Sequence, residues 1–142
     1  MQAKNLPKTK FRPAISLVHE DARGEMYSIS LPGDRELMLL HSHAGALRGG
    51  HSHDVAEQVM VLDGLMRYRK HRAEFTDTSG SESTSEELLR EGDTSYNAAG
   101  RDHMGEFFQD TWLVEWKIGT TKTGWKNTNY APWRKEVDAN AR

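Results

Sequence analysis

The stretch GALRGGHSHDVAEQVMVLDG, from Gly45 to Gly64, restricts the fold of this chain more than any other part of it. It has the form G-x(5)-H-x-H-x(3)-E-x(6)-G. His51 and His53 stand two apart, so on a strand both rings project from the same face. After three intervening residues, Glu57 can return on the next antiparallel strand and aim its carboxylate at the same point. Two imidazoles and one carboxylate suit a divalent first-row metal. The spacing therefore asks for a small β-barrel with a metal site inside it.

The rest of the chain reads as many short strands, which favour a closed barrel or a sandwich. Its apolar residues alternate in short runs without helical periodicity. Strands are expected at 14–18, 25–30, 36–42, 47–53, 57–62, 65–70, 94–97, 103–108 and 111–118, separated by glycine-containing turn signals. Asp63-Gly64 predicts a type I′ hairpin turn. Residues 76–87, TDTSGSESTSEE, read as a flexible, solvated hairpin loop, with a lid over the barrel mouth as the alternative. The tail at 120–142 carries Trp125, Tyr130 and Trp133 and predicts an arm or short helix packed on the barrel or on a neighbouring subunit. In 111–118, Trp112, Val114, Trp116 and Ile118 share a face that reads as core or subunit packing, with a ligand platform as the alternative.

Composition narrows the chemistry. The 142 residues and the lack of any internal repeat predict one domain, 1–142. There is no cysteine, so thiolate nucleophiles, disulfides and iron–sulfur centres are excluded. A net charge of −2 offers no basic field for nucleic acid. Residues 1–20 lack the apolar core of a signal peptide, and no apolar run approaches the ~20 residues of a membrane span. A soluble, cytoplasmic protein with a small-molecule substrate is the expectation.

The Gly45–Gly64 segment resembles the first motif of the cupin superfamily at every defining position. The second cupin motif is matched in part, by Gly92, Gly100 and His103, while Ala98 and Phe107 replace its usual proline and asparagine. The resemblance implies an all-β, double-stranded β-helix (jelly-roll) barrel. It also implies that His51, His53, Glu57 and His103 converge on one divalent transition metal (Fe, Mn, Ni or Zn), with two positions left for water or substrate. Cupins commonly dimerise through one sheet, so a homodimer is expected. Met38, Leu40, Met60 and Leu62, assigned to the faces away from the ligands, are candidates for that contact or for sheet-on-sheet core.

A narrower resemblance attaches to Leu47-Arg48-Gly49-Gly50-His51-Ser52-His53, preceded by Asp21-Ala22-Arg23-Gly24. It is similar to cupins that modify sugars in surface-polysaccharide pathways, the capsular type more than the ketoisomerases, which generally lack the equivalents of Glu57 and His103. Arg48 is a candidate clamp for a phosphate or carboxylate. Gln58 and Tyr68 are candidate substrate-binding residues at the lumen or rim. His41 is the candidate general base, sharing a strand face with Leu37 and Leu39. His43 repeats the pattern, and the alternative for both is a half-buried structural role. His19 and His71 read as surface positions. Three functions fit such a site: a metal-dependent isomerase, epimerase or lyase acting by enolisation, an Fe(II)-dependent dioxygenase, or a non-catalytic ligand-binding barrel.

Overall fold

The computed structural model describes residues 14–76, 82–120 and 124–142. Within these, eleven strands precede one helix. The strands are β1 (Ala14–Asp21), β2 (Gly24–Leu31), β3 (Arg35–Ser42), β4 (Leu47–His53), β5 (Glu57–Asp63), β6 (Leu65–Thr76), β7 (Glu82–Arg90), β8 (Thr94–Asn97), β9 (Asp102–Phe107), β10 (Thr111–Lys117) and β11 (Asn127–Asn129). Helix α1 spans Ala131–Asn140, with Pro132 in its first turn, where a missing N–H costs nothing. No helix among the described residues is long and apolar enough to cross a membrane.

All pairings are antiparallel. One sheet has the order β1-β2-β3-β10-β5-β8 and the other β11-β4-β9-β6-β7. The inner faces meet in a core built from both sheets, with Leu40, Val59, Val61 and Leu113 from the first and Met66, Tyr68, Leu89 and Phe107 from the second. Val59 and Val61 are fully buried, each contributing roughly 1.5–3 kcal/mol. Ser95 Oγ on β8 donates to Glu87 Oε2 on β7 at 2.7 Å, tying the sheets along one side. A second apolar layer covers the outside of the larger sheet, where Leu39 and Trp112 pack with Ile15, Tyr27, Ile29, Leu62 and Val114.

That outer layer corrects one expectation. Met38 and Leu40 face the interior, whereas Leu39 lies outside. Strand β3 is apolar in both phases, so alternation alone does not say which phase is inward. For β5 the assignment is right: Glu57, Val59 and Val61 are buried and the residues between them point outward.

Three further expectations need correction. Asp63-Gly64 is not a hairpin turn, because β5 and β6 belong to different sheets. Gly64 is the corner between them, at φ 118°, where a Cβ would stand 2.7 Å from Thr111 Cα. Second, much of the expected 76–87 loop is strand: Thr76 ends β6, and Glu82 onward forms β7, paired with β6 from Leu65↔Arg90 to Thr76↔Glu82. Residues 77–81 lie outside the described residues. A polar segment serves here because one face of this edge strand meets solvent, where Glu86 pairs with Arg69 at 3.3 Å. Third, His71 is buried, stacked on Tyr130 with ring centroids 4.4 Å apart and its Nδ1 3.2 Å from Asp102 Oδ2.

Candidate metal centre

His51 and His53 lie on β4, and His103 stands opposite His51 on β9. The three ring centroids are 4.7 to 5.0 Å apart. One ring nitrogen from each comes within 4.8 Å of the others. A β-bulge makes this possible. Arg48 and His51 are three apart and would take opposite faces of an unbroken strand. The β4–β9 register slips between Gly49 and His51, so both line the interior. Gly49 and Gly50 have φ 94° and 73°, and a Cβ on Gly49 would sit 2.7 Å from the His103 carbonyl oxygen. The tail holds the bulge: Arg134 Nη1 donates to Gly49 O at 2.8 Å and Tyr130 N to Gly50 O at 2.8 Å.

The rings are oriented from behind. His53 Nδ1 bonds Asn127 Oδ1 on β11, and His103 Nδ1 donates to Arg101 O at 3.1 Å. Their Nε2 atoms turn to Glu57, at 3.2 Å from Oε2 and 3.7 Å from Oε1 respectively. Burial and the neighbouring imidazoles pull His51 down to about 3. Burial likewise pulls His103 down to about 4, against the opposing pull of Glu57. Burial alone would raise Glu57, but the His53 hydrogen bond and the charge of Lys117 outweigh it and hold the carboxyl well below its usual range. Two neutral imidazoles and an ionised carboxylate are the protonation states a metal requires. The three imidazoles therefore fit a divalent transition metal, with Glu57 beside His53 and His103 but outside the group whose ligand atoms all lie within 4.8 Å of one another. One departure is Lys117, opposite Glu57 on β10, whose Nζ lies 2.5 Å from Glu57 Oε2 and shares that carboxylate with the imidazoles.

Beside the histidines is a chamber of about 150 Å³ with Arg48, Tyr68 and Glu115 in its wall. Arg48 is buried, its Nε donating to Ser42 Oγ at 2.7 Å. Burial lowers it only to about 10, so it stays charged at neutral pH. Tyr68 is buried, accepts from Asn97 Nδ2 at 3.0 Å, and is pushed well above the usual phenol range by burial. Glu115 is pushed up to about 8 by burial and by the charge of Glu57. It also lines a larger groove of about 980 Å³, whose wall includes Trp116, Lys117 and Trp125.

Of the residues singled out by sequence, His51, His53, His103, Glu57, Arg48 and Tyr68 thus come together. His41 and Gln58 do not. His41 stacks on Trp112 at 4.5 Å between centroids, in the outer layer of the larger sheet, so it is not the base of this chamber. Gln58 falls between buried Glu57 and Val59 and so projects outward. Sequence reasoning missed Glu115, Lys117 and Asn127. On β10 the signal was a charged phase, Glu115 and Lys117, alternating with an aromatic one that resembled the core. Asn127 carried no signal.

No protein-family model matches the chain, and no curated protein matches it in sequence. Solved structures do resemble it. The capsular polysaccharide assembling protein CapF from Staphylococcus aureus superposes with a TM-score of 0.62 at 21% identity, over 83% of this chain and 32% of that one. Vicilin from Corylus avellana (hazelnut) gives a TM-score of 0.65 at 15% identity, over 84% of this chain and 33% of that one. Hydroquinone 1,2-dioxygenase PnpCD, solved with Cd2+ and 4-hydroxybenzonitrile, gives a TM-score of 0.50 at 16% identity, over 64% of this chain and 61% of that one. The chain spans about a third of CapF and of the vicilin. It has the cupin fold, an all-β jelly roll.

Proposed function

We propose that this cupin-fold chain is a metal-dependent isomerase, epimerase or lyase that moves a proton next to the carbonyl of a small oxygenated substrate, a sugar-type or keto-acid compound. The observation that carries the reading is the presence of Glu115 and Arg48 in the wall of the chamber that His51 and His103 also line. A chamber of about 150 Å³ suits a keto acid or the reacting end of a sugar, and the groove that Glu115 also borders suits the remainder. The likeness of the Leu47–His53 segment to sugar-modifying cupins, and of the fold to CapF, supports a sugar-type substrate.

His51, His53, His103 and Glu57 would hold the metal, which when bound supplies a Lewis acid for the substrate oxygens. Arg48 clamps a substrate carboxylate or hydroxyl. Glu115, once ionised, takes the proton from the carbon beside the carbonyl and returns it to the same carbon or its neighbour. Tyr68 keeps its proton and donates a hydrogen bond to the substrate oxygen that gains charge. His41, the base expected from sequence, has no part in this.

The test is proton exchange in D2O. Metal-loaded protein, offered small 2-keto acids and hydroxyketones, should exchange the hydrogen beside the carbonyl, at a rate that rises with pH to a plateau as Glu115 ionises, the bound cation bringing that ionisation to lower pH than in metal-free protein. Glu115→Gln should slow exchange by roughly 100-fold or more. Oxygen consumption without exchange would overturn the reading in favour of the Fe(II)-dependent dioxygenase. Ligand binding with neither activity would leave a non-catalytic binding protein.

A further inference from the structure

We infer that the outer surface of the barrel carries a second divalent-cation site, formed by His41, His43 and Asp110. It takes a borderline transition-metal ion such as Zn2+ or Ni2+, and it does not depend on the interior centre. A ring nitrogen of each histidine and a carboxylate oxygen of Asp110 lie within 4.8 Å of one another. Strand pairing brings them there. Ser42 is the register partner of Thr111, so the residues flanking Ser42 meet the residue that precedes Thr111.

The donors are held in place by other contacts. His41 Nδ1 lies 2.8 Å from Glu25 Oε2, which leaves Nε2 as its free nitrogen. A carboxylate behind an imidazole in this way fixes the ring and raises its basicity as a ligand. The ring is also stacked on Trp112, and His43 meets it edge-on with centroids 5.1 Å apart. His43 N donates to Arg23 O at 2.8 Å, fixing the backbone at that position. Asp110 Oδ1 accepts from Ala44 N at 2.9 Å, leaving the second oxygen for an ion. His43 and Asp110 are exposed, so further coordination positions are open to water. Two imidazoles and one carboxylate with open positions suit Zn2+ and Ni2+ better than Ca2+ or Mg2+, which prefer all-oxygen shells.

The experiment is a zinc titration of the full chain, stripped with chelator and read by competition with a chromogenic indicator. The H51A/H53A protein should retain one tight equivalent. H43A and D110N, both exposed positions, should each weaken that equivalent by ~10-fold or more in either background, and E25Q by roughly 10-fold through the loss of its support to His41. Should H51A/H53A fail to fold, the same loss is read in the wild-type background with circular dichroism as the fold control. Zinc binding unchanged by both H43A and D110N would overturn the inference, as would loss of all zinc binding in a folded H51A/H53A protein.

Discussion

Glu115 shows what a carboxyl held away from water costs its protein. Its carboxyl is pushed up to about 8 in the fold, against an ordinary value of 4.5. Between those values the unfolded chain gives up the proton while the folded one keeps it, so stability falls as pH rises through that window. Below it both states are protonated and the penalty vanishes. In metal-free protein, Glu115→Gln should therefore stabilise at pH above 8 by at most about 5 kcal/mol, and hardly at all near pH 4. Urea melts at the two pH values check this; a gain independent of pH would show that burial does not set the charge of Glu115. Gly64 and Gly100 make a second contrast. Both have positive φ, but only at Gly64 would a Cβ meet backbone, at 2.7 Å from Thr111 Cα. Replacing Gly100 with Ala should cost about 1 kcal/mol and replacing Gly64 roughly 3 or more, read as the difference in melting free energy.

At the scale of elements, the centre depends on strands that support β4. Its bulge turns Arg48, His51 and His53 inward, and β11 pairs with the same strand from Asn127↔His53 to Asn129↔His51. Asn127→Ala removes the bond that orients His53, and metal affinity at the interior centre should fall by about 10- to 100-fold with little change in melting temperature. Equal loss of affinity and fold would mean that β11 serves stability alone. The site was legible where residue type and parity agreed: His51, His53 and Glu57 carry ligand chemistry at strand spacing. It was illegible where a sheet is apolar on both faces. In β3, Leu39 and Leu40 look alike, yet one packs outside and the other within, and His41 follows the outer phase. On β10 the aromatic phase resembles core while the charged phase, with Glu115, lines the chamber. Strand β7 left no apolar alternation because its outer face carries exposed Leu88 beside Glu86, while its inner face holds Glu87 against Lys70, at 2.9 Å, as well as buried Leu89.

For the molecule as a whole, the candidate centre draws on both sheets. His51, His53 and His103 come from the smaller sheet, while Glu57 and Lys117 come from the larger one. An ion gripping both sets would act as a clamp between sheets that the unfolded chain does not have. Binding to the folded state alone adds ~2.7 kcal/mol at a free metal concentration about 100 times Kd. For a domain of this size that is a rise in melting temperature of roughly 10 °C. The measurement belongs in H43A protein, where the surface cluster has lost a ligand and the shift reports the interior alone. Glu57→Gln should reduce the shift, because it cuts the link to the larger sheet and leaves Lys117 without its carboxylate partner. The K117M/E57Q double variant should recover metal-free stability relative to E57Q, since it removes the half-buried cation that the single change leaves without its carboxylate, but should not recover the metal-dependent shift. A full shift in E57Q would mean that the three histidines grip the ion without Glu57, and that the carboxylate serves Lys117 instead.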